Sequence, residues 1–231
     1  MCIDIFGHYM AIGDETGYIS IWDLTKTTEE PDRKLRAHWH TIETINHVTH
    51  EREELEQALT CGWVSLSDNT IATATDFRPA PFGCRGRKEV KVWDQANCRC
   101  LHKLERVEAQ CAYQGSLYTA THIEAGFQIQ LWMRIGDAVT LLKTFKIDVG
   151  QRHLVQIFRE GATFGAVIAD SIKVNPSTHV IKVWDINTGK QCGSIPNPKD
   201  YDQIVRVRSM SSGLIIQYYR SLGLLCRKYY I

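Results

Sequence analysis

The sequence predicts an all-β chain of about five repeated sheets, four strands to a sheet, in a ring that is incomplete or open. Two observations carry this. A short alternating run closed by tryptophan and polar turn residues occurs four times: GYISIWDLTK at Trp22, KEVKVWDQAN at Trp93, FQIQLWMRIG at Trp132 and HVIKVWDINT at Trp184. Such alternation marks a strand. Each run also sits in the same order of neighbouring runs, and the interval from Trp93 to Trp132 approaches the period of roughly 40 to 45 residues of a four-stranded repeat.

The first unit, 1–37, reads CIDIF, HYMAIGD, the run ending at Trp22, and RKLRAH. An insertion, 38–60, follows, in which EREELEQAL sets Leu55, Ala58 and Leu59 on one side and predicts a short amphipathic helix. The second unit, 61–104, reads WVSLS, TIATATD, the Trp93 run and CRCLHKL; the third, 105–145, reads VEAQCAYQ, SLYTATH, the Trp132 run and VTLLKTF. The fourth, 146–195, reads HLVQIF, TFGAVIAD, the Trp184 run and KQCGSI. Residues 196–231 offer IVRVRSMS, GLIIQYYR and LGLLCRKYYI, three strands of a fifth unit without its fourth. One such sheet alone would expose apolar faces, and stacking covers them, so 1–231 is expected to act as a single domain.

The dipeptides Trp22-Asp23, Trp93-Asp94 and Trp184-Asp185, each after an I-x-[IV]-like run, resemble the WD-repeat family of β-propellers over essentially the whole chain. That resemblance implies a propeller whose relatives usually carry seven blades. A chain with about five is expected to be partial, or an open arc whose end blades are covered. It also implies a network of histidine, serine or threonine, aspartate and tryptophan. In the second unit the candidates are His38 or His40, Thr75, Asp76 and Trp93. The third unit has no aspartate at that turn and the fourth keeps Asp170, so packing is expected to matter more than the network.

Composition narrows function. The formal net charge is +1, hydrophobic residues make up 44%, and no stretch reaches the roughly 20 apolar residues of a spanning helix, which argues against nucleic-acid binding and membrane insertion. MCIDIFGHYM lacks a signal-peptide pattern, so an intracellular address, cytoplasmic or nuclear, is expected. Eight cysteines are too few for a disulfide scaffold, and most, Cys98 and Cys100 included, are expected to be core thiols. His38, His40, His47 and His50 with Cys61 match no closed zinc spacing, and no P-loop, G-x-S-x-G or H-E-x-x-H occurs. Neither a metal, a cofactor nor catalysis is expected.

Function is therefore expected on loops. The insertion 38–60, the segment FRPAPFGCRGRKE and the SIKVNPST interruption of the fourth unit should emerge on one face. The first carries Glu43, Glu51, Glu53, Glu54 and Glu56; the second carries Arg78, Arg85, Arg87 and Lys88 around Phe82, a candidate surface for acidic or phosphorylated protein segments. Mutual neutralisation of the two loops is the alternative. The resemblance is nearest in style to F-box and WD-repeat proteins, implying an interaction scaffold or substrate-recognition adaptor, with a ubiquitin ligase as one setting. The F-box is missing and no W-D-x-R occurs. The other reading is a structural subunit whose open blade edges are buried by partners.

Overall fold

The computed structural model describes residues 1–45, 52–75, 88–124, 126–148, 152–160, 163–170, 180–196, 203–210, 213–220 and 223–229. The chain divides into two compact units, Met1–Arg106 with Arg134–Val139, and Val107–Met133 with Thr140–Ile231. Every described regular element is a strand, and among the described residues no helix is long and apolar enough to cross a membrane.

The first unit holds the antiparallel sheet β1 (Cys2–Phe6), β2 (Tyr9–Gly13), β3 (Tyr18–Asp23) and β4 (Arg33–Arg36). A hairpin, β5 (Trp39–Ile45) with β6 (Arg52–Ala58), follows. A second sheet runs through β7 (Cys61–Leu66), β8 (Thr70–Thr75), β9 (Glu89–Asp94) and β10 (Cys100–Glu105). Its core joins Ala11, Ile19, Ile21 and Leu35 of the first sheet to Val64, Leu66, Ile71 and Trp93 of the second. Each fully buried aliphatic side chain there contributes about 1.5–3 kcal/mol.

The second unit contains β11 (Val107–Tyr113), β12 (Ser116–Ile123), β13 (Gly126–Ile135) and β14 (Ala138–Ile147), except that the tip of this last hairpin, Arg134 to Val139, belongs to the first unit. Then come β15 (Arg152–Glu160), β16 (Thr163–Asp170), β17 (Val180–Asp185) and β18 (Gln191–Pro196), and a three-stranded sheet β19 (Gln203–Met210), β20 (Gly213–Arg220) and β21 (Gly223–Tyr229). Gln114 and Gly115, at φ 48° and 72°, give the β11–β12 turn the left-handed pair that a tight hairpin needs. Tyr118, Phe164 and Trp184 form the aromatic centre of this unit's core. Gly165 faces Phe158 across β15–β16, and a Cβ there would lie 2.0 Å from the Phe158 ring.

Register shows the repeat more sharply than the letters do. Across three strands, Ile5–Met10–Trp22, Leu66–Ile71–Trp93, Ala112–Leu117–Trp132 and Arg159–Phe164–Trp184 are equivalent rows. The last sheet has the same row as Ser209–Leu214–Tyr229, so Tyr229 holds the fifth tryptophan station. Four residues before each row, the first strand of the second to fifth sheets bulges, at Gly62, Glu108, Val155 and Val205.

One expectation is corrected. EREELEQAL is not helical: Arg52–Ala58 pairs residue by residue with Trp39–Ile45, because an alternating partner strand outweighs the weak helix preference of a charged run. The described cysteines are all free: Cys61 lies in the core of the first unit with Cys2 and Cys98 packed against it, Cys111 packs against the core of the second, and Cys100 and Cys192 are exposed.

Candidate functional site

Both long excursions of the first unit leave from one end of its sheets. β4 ends at Arg36 beside Tyr18, while β7 begins at Cys61 opposite Thr75, where β8 ends and β9 begins nearby at Glu89. Backbone bonds fix the base of the hairpin. Ala37 and His38 N–H groups donate to the Gly17 carbonyl at 2.9 and 3.1 Å, Leu59 N–H to His38 O at 2.9 Å, and Cys61 N–H to Asp14 O at 3.0 Å.

A buried charge cluster joins the two roots. Glu89, 3% exposed, receives Lys91 Nζ at 2.9 Å and Lys103 Nζ at 2.8 Å, and His38 Nδ1 lies 3.4 Å from its Oε1. Lys91 Nζ also donates to Ala37 O at 2.7 Å, and the Glu89 N–H donates to Thr75 Oγ1 at 3.0 Å. Burial alone would raise the Glu89 pKa, but the bonds from His38, Lys103 and Lys91 outweigh it and hold the carboxyl far below the usual range. Residues 76–87, which include Asp76, Arg78, Phe82, Arg85 and Arg87, lie outside the described residues. Lys88 is described and half-buried beside Glu89.

The tryptophan-aspartate positions take two separate roles. Asp23 accepts the Thr25 N–H at 3.0 Å, Asp94 the Ala96 N–H at 2.7 Å, and Asp185 the Thr188 N–H at 2.7 Å, so each closes the turn after its strand. The third sheet has Met133 there; its Arg134 instead reaches Asp94 at 2.8 Å and Asn69 O at 2.7 Å. The indoles depend on the neighbouring strand. Trp93 Nε1 donates to Thr73 Oγ1 and Trp132 Nε1 to Thr119 Oγ1, each at 3.0 Å. Thr75, the sequence candidate, instead accepts the Glu89 amide. In the first and fourth sheets the matching positions are Ile12 and Ala166, and Trp22 Nε1 has no acceptor among the described residues.

Sequence reasoning placed Glu89 at the end of the basic segment FRPAPFGCRGRKE but missed its partners Lys91 and Lys103, whose only signal is alternating lysine after an acid at a loop's end. His38 was singled out, and it meets Glu89 through Nδ1.

No protein-family model and no curated protein sequence matches the chain. Solved structures do. Kluyveromyces lactis Hsv2 superposes with a TM-score of 0.62 at 12% identity, covering 94% of this chain and 58% of its own. A chain in the crystal structure of the mitotic checkpoint complex gives a TM-score of 0.62 at 12% identity, covering 100% of this chain and 64% of its own. This chain thus spans less than two thirds of either. At such identity the likeness concerns the fold alone, and with four four-stranded antiparallel sheets among the described residues that fold is of the β-propeller kind.

Proposed function

We propose that this chain is a non-catalytic docking platform for other proteins, in which the excursion 76–88 contacts an acidic or phosphorylated segment. The observation that carries the reading is the burial of Glu89 among Lys91, Lys103 and His38. The acid at the end of the basic stretch is already neutralised within the sheet. FRPAPFGCRGRK, 77–88, carries Arg78, Arg85, Arg87 and Lys88 around Phe82, against the single carboxylate Asp76 at the start of the excursion. Guanidinium groups match carboxylate and phosphate oxygens in pairs. A structural neighbour belongs to a multiprotein complex, which agrees with protein partners. Substrate receptor or adaptor of a ubiquitin ligase is the finer form of this reading.

The test reverses Arg78, Arg85 and Arg87 to glutamate and measures binding to acidic and phosphorylated peptide libraries by fluorescence anisotropy. Loss of binding at an unchanged melting temperature supports the platform. A lower melting temperature with binding intact would make the arginines internal counter-charges of the glutamates in 43–56.

One observation favours a second reading, a structural subunit of a stable assembly. The first sheet's tryptophan face is open: Ile3 and Ile5 are 56% and 57% exposed, and Met10, Ile12 and Trp22 are half-buried. An obligate complex in sedimentation, with the isolated chain insoluble, would select that reading.

A further inference from the structure

We propose that Cys2 and Cys61 form a reversible disulfide that latches the edge strand β1 to β7, the first strand of the next sheet in the same unit. The two Sγ atoms lie 3.5 Å apart, and Cys2 Sγ also approaches Cys61 O at 3.4 Å and Gly13 O at 3.9 Å. Gly13 makes room for the pair, since a Cβ at that position would stand 2.6 Å from Cys2 Sγ and 2.7 Å from Cys61 Sγ. Exposure divides the roles. Cys2 is partly open on a strand paired only on one side, and Cys61 is buried behind it.

The contact between the two thiols lowers the Cys2 pKa against the opposing effect of burial, while the same contact and burial raise that of Cys61. Cys2 is accordingly the attacking thiolate. With a small disulfide such as oxidised glutathione as the oxidant, Cys2 sulfur bonds to one sulfur of the reagent and expels a thiolate. Cys61 then gives its proton to that thiolate, and its sulfur attacks Cys2 and releases the second glutathione as a thiolate that takes a proton from water. Two protein thiols are oxidised by two electrons and one reagent disulfide is reduced to two thiols. Because Cys61 is where the β5–β6 hairpin returns to the sheet, the bond fixes the root of that hairpin.

The experiment treats the reduced full chain with excess oxidised glutathione, traps free thiols by alkylation and maps peptides by mass spectrometry. The expected result is a Cys2–Cys61 linked peptide that dithiothreitol releases, with a melting temperature higher by roughly 5–15 °C in the linked form. C61S should stop at a glutathione adduct on Cys2, and G13A should reduce the linked yield several-fold. Separate adducts on Cys2 and Cys61 in the wild-type chain, both residues remaining alkylatable, or a thermal shift that persists in C2S would each overturn the latch.

Discussion

Replacing Glu89 with glutamine keeps the side chain's shape and deletes its charge. Lys103, Lys91 and His38 respond differently. Lys103, with 45% of its side chain exposed, can turn to water; Lys91 at 14% and His38 at 0% stay where they are. Removing one member of a buried ion cluster costs about 3–5 kcal/mol when every partner remains buried, so the lower end, about 3 kcal/mol, is expected for E89Q. For a chain of this length that is a fall of roughly 6–12 °C in melting temperature. The pH dependence has a fixed sign. Glu89 has a depressed pKa when folded, so its contribution is complete above the unfolded value of about 4.3 and is lost as pH falls further. Urea unfolding of wild type and E89Q between pH 3 and 7 should give a gap that is constant near neutrality and narrows below about pH 4. Hydrogen exchange should also speed up at Ala37, His38 and Leu59, whose amides tie down the hairpin root. A gap that stays the same at every pH would refute the cluster as a charged one.

The tryptophan rows offer a paired test by denaturant titration. T73V leaves the buried Trp93 N–H without its acceptor and should cost about 1–3 kcal/mol, while T119V should cost less because Trp132 is only half-buried. Placing the missing hydroxyl opposite Trp22 should make I12T more stable than I12V by about 1 kcal/mol, and W22F should abolish that difference. G165A should destabilise by about 1–3 kcal/mol, since its new methyl meets the Phe158 ring, and a smaller residue at Phe158 should recover part of the loss in thermal melts.

The strands were legible because short runs rich in β-branched and aromatic residues stand between turn signals: TIATAT, buried throughout, SLYTATH, buried over its first five residues, and the alternating VIKVWD each emerge as a described strand. What sequence lacks is register. TIATAT offers Thr73 and Thr75 equally, and only the pairing of Ile71 with Trp93 assigns the indole to Thr73. Tyr229 went unnoticed as a repeat position because its letter differs while its place in the row does not. The hairpin was missed for a different reason. Leu55, Ala58 and Leu59 satisfy helical spacing on paper, whereas the pairing strand that decides the matter lies on the other side of a turn. Of the candidate surface, the basic residues could be named from sequence, but the partners of the acid beside them became visible only when β9, β10 and the connection through His38 were brought together.

The recurrent bulges have a consequence for how such a chain can lengthen. Alternation along a strand has a parity, and adding one residue within a paired stretch would ordinarily turn the side chains beyond it to the other face. A surplus residue at Gly62, Glu108, Val155 and Val205 uncouples the incoming connection from the strand that follows it. The few residues ahead of each bulge can then keep their pairing to the neighbouring strand while the faces of the residues after it stay fixed, as Cys61 keeps its place opposite Thr75 where the long hairpin returns to the sheet.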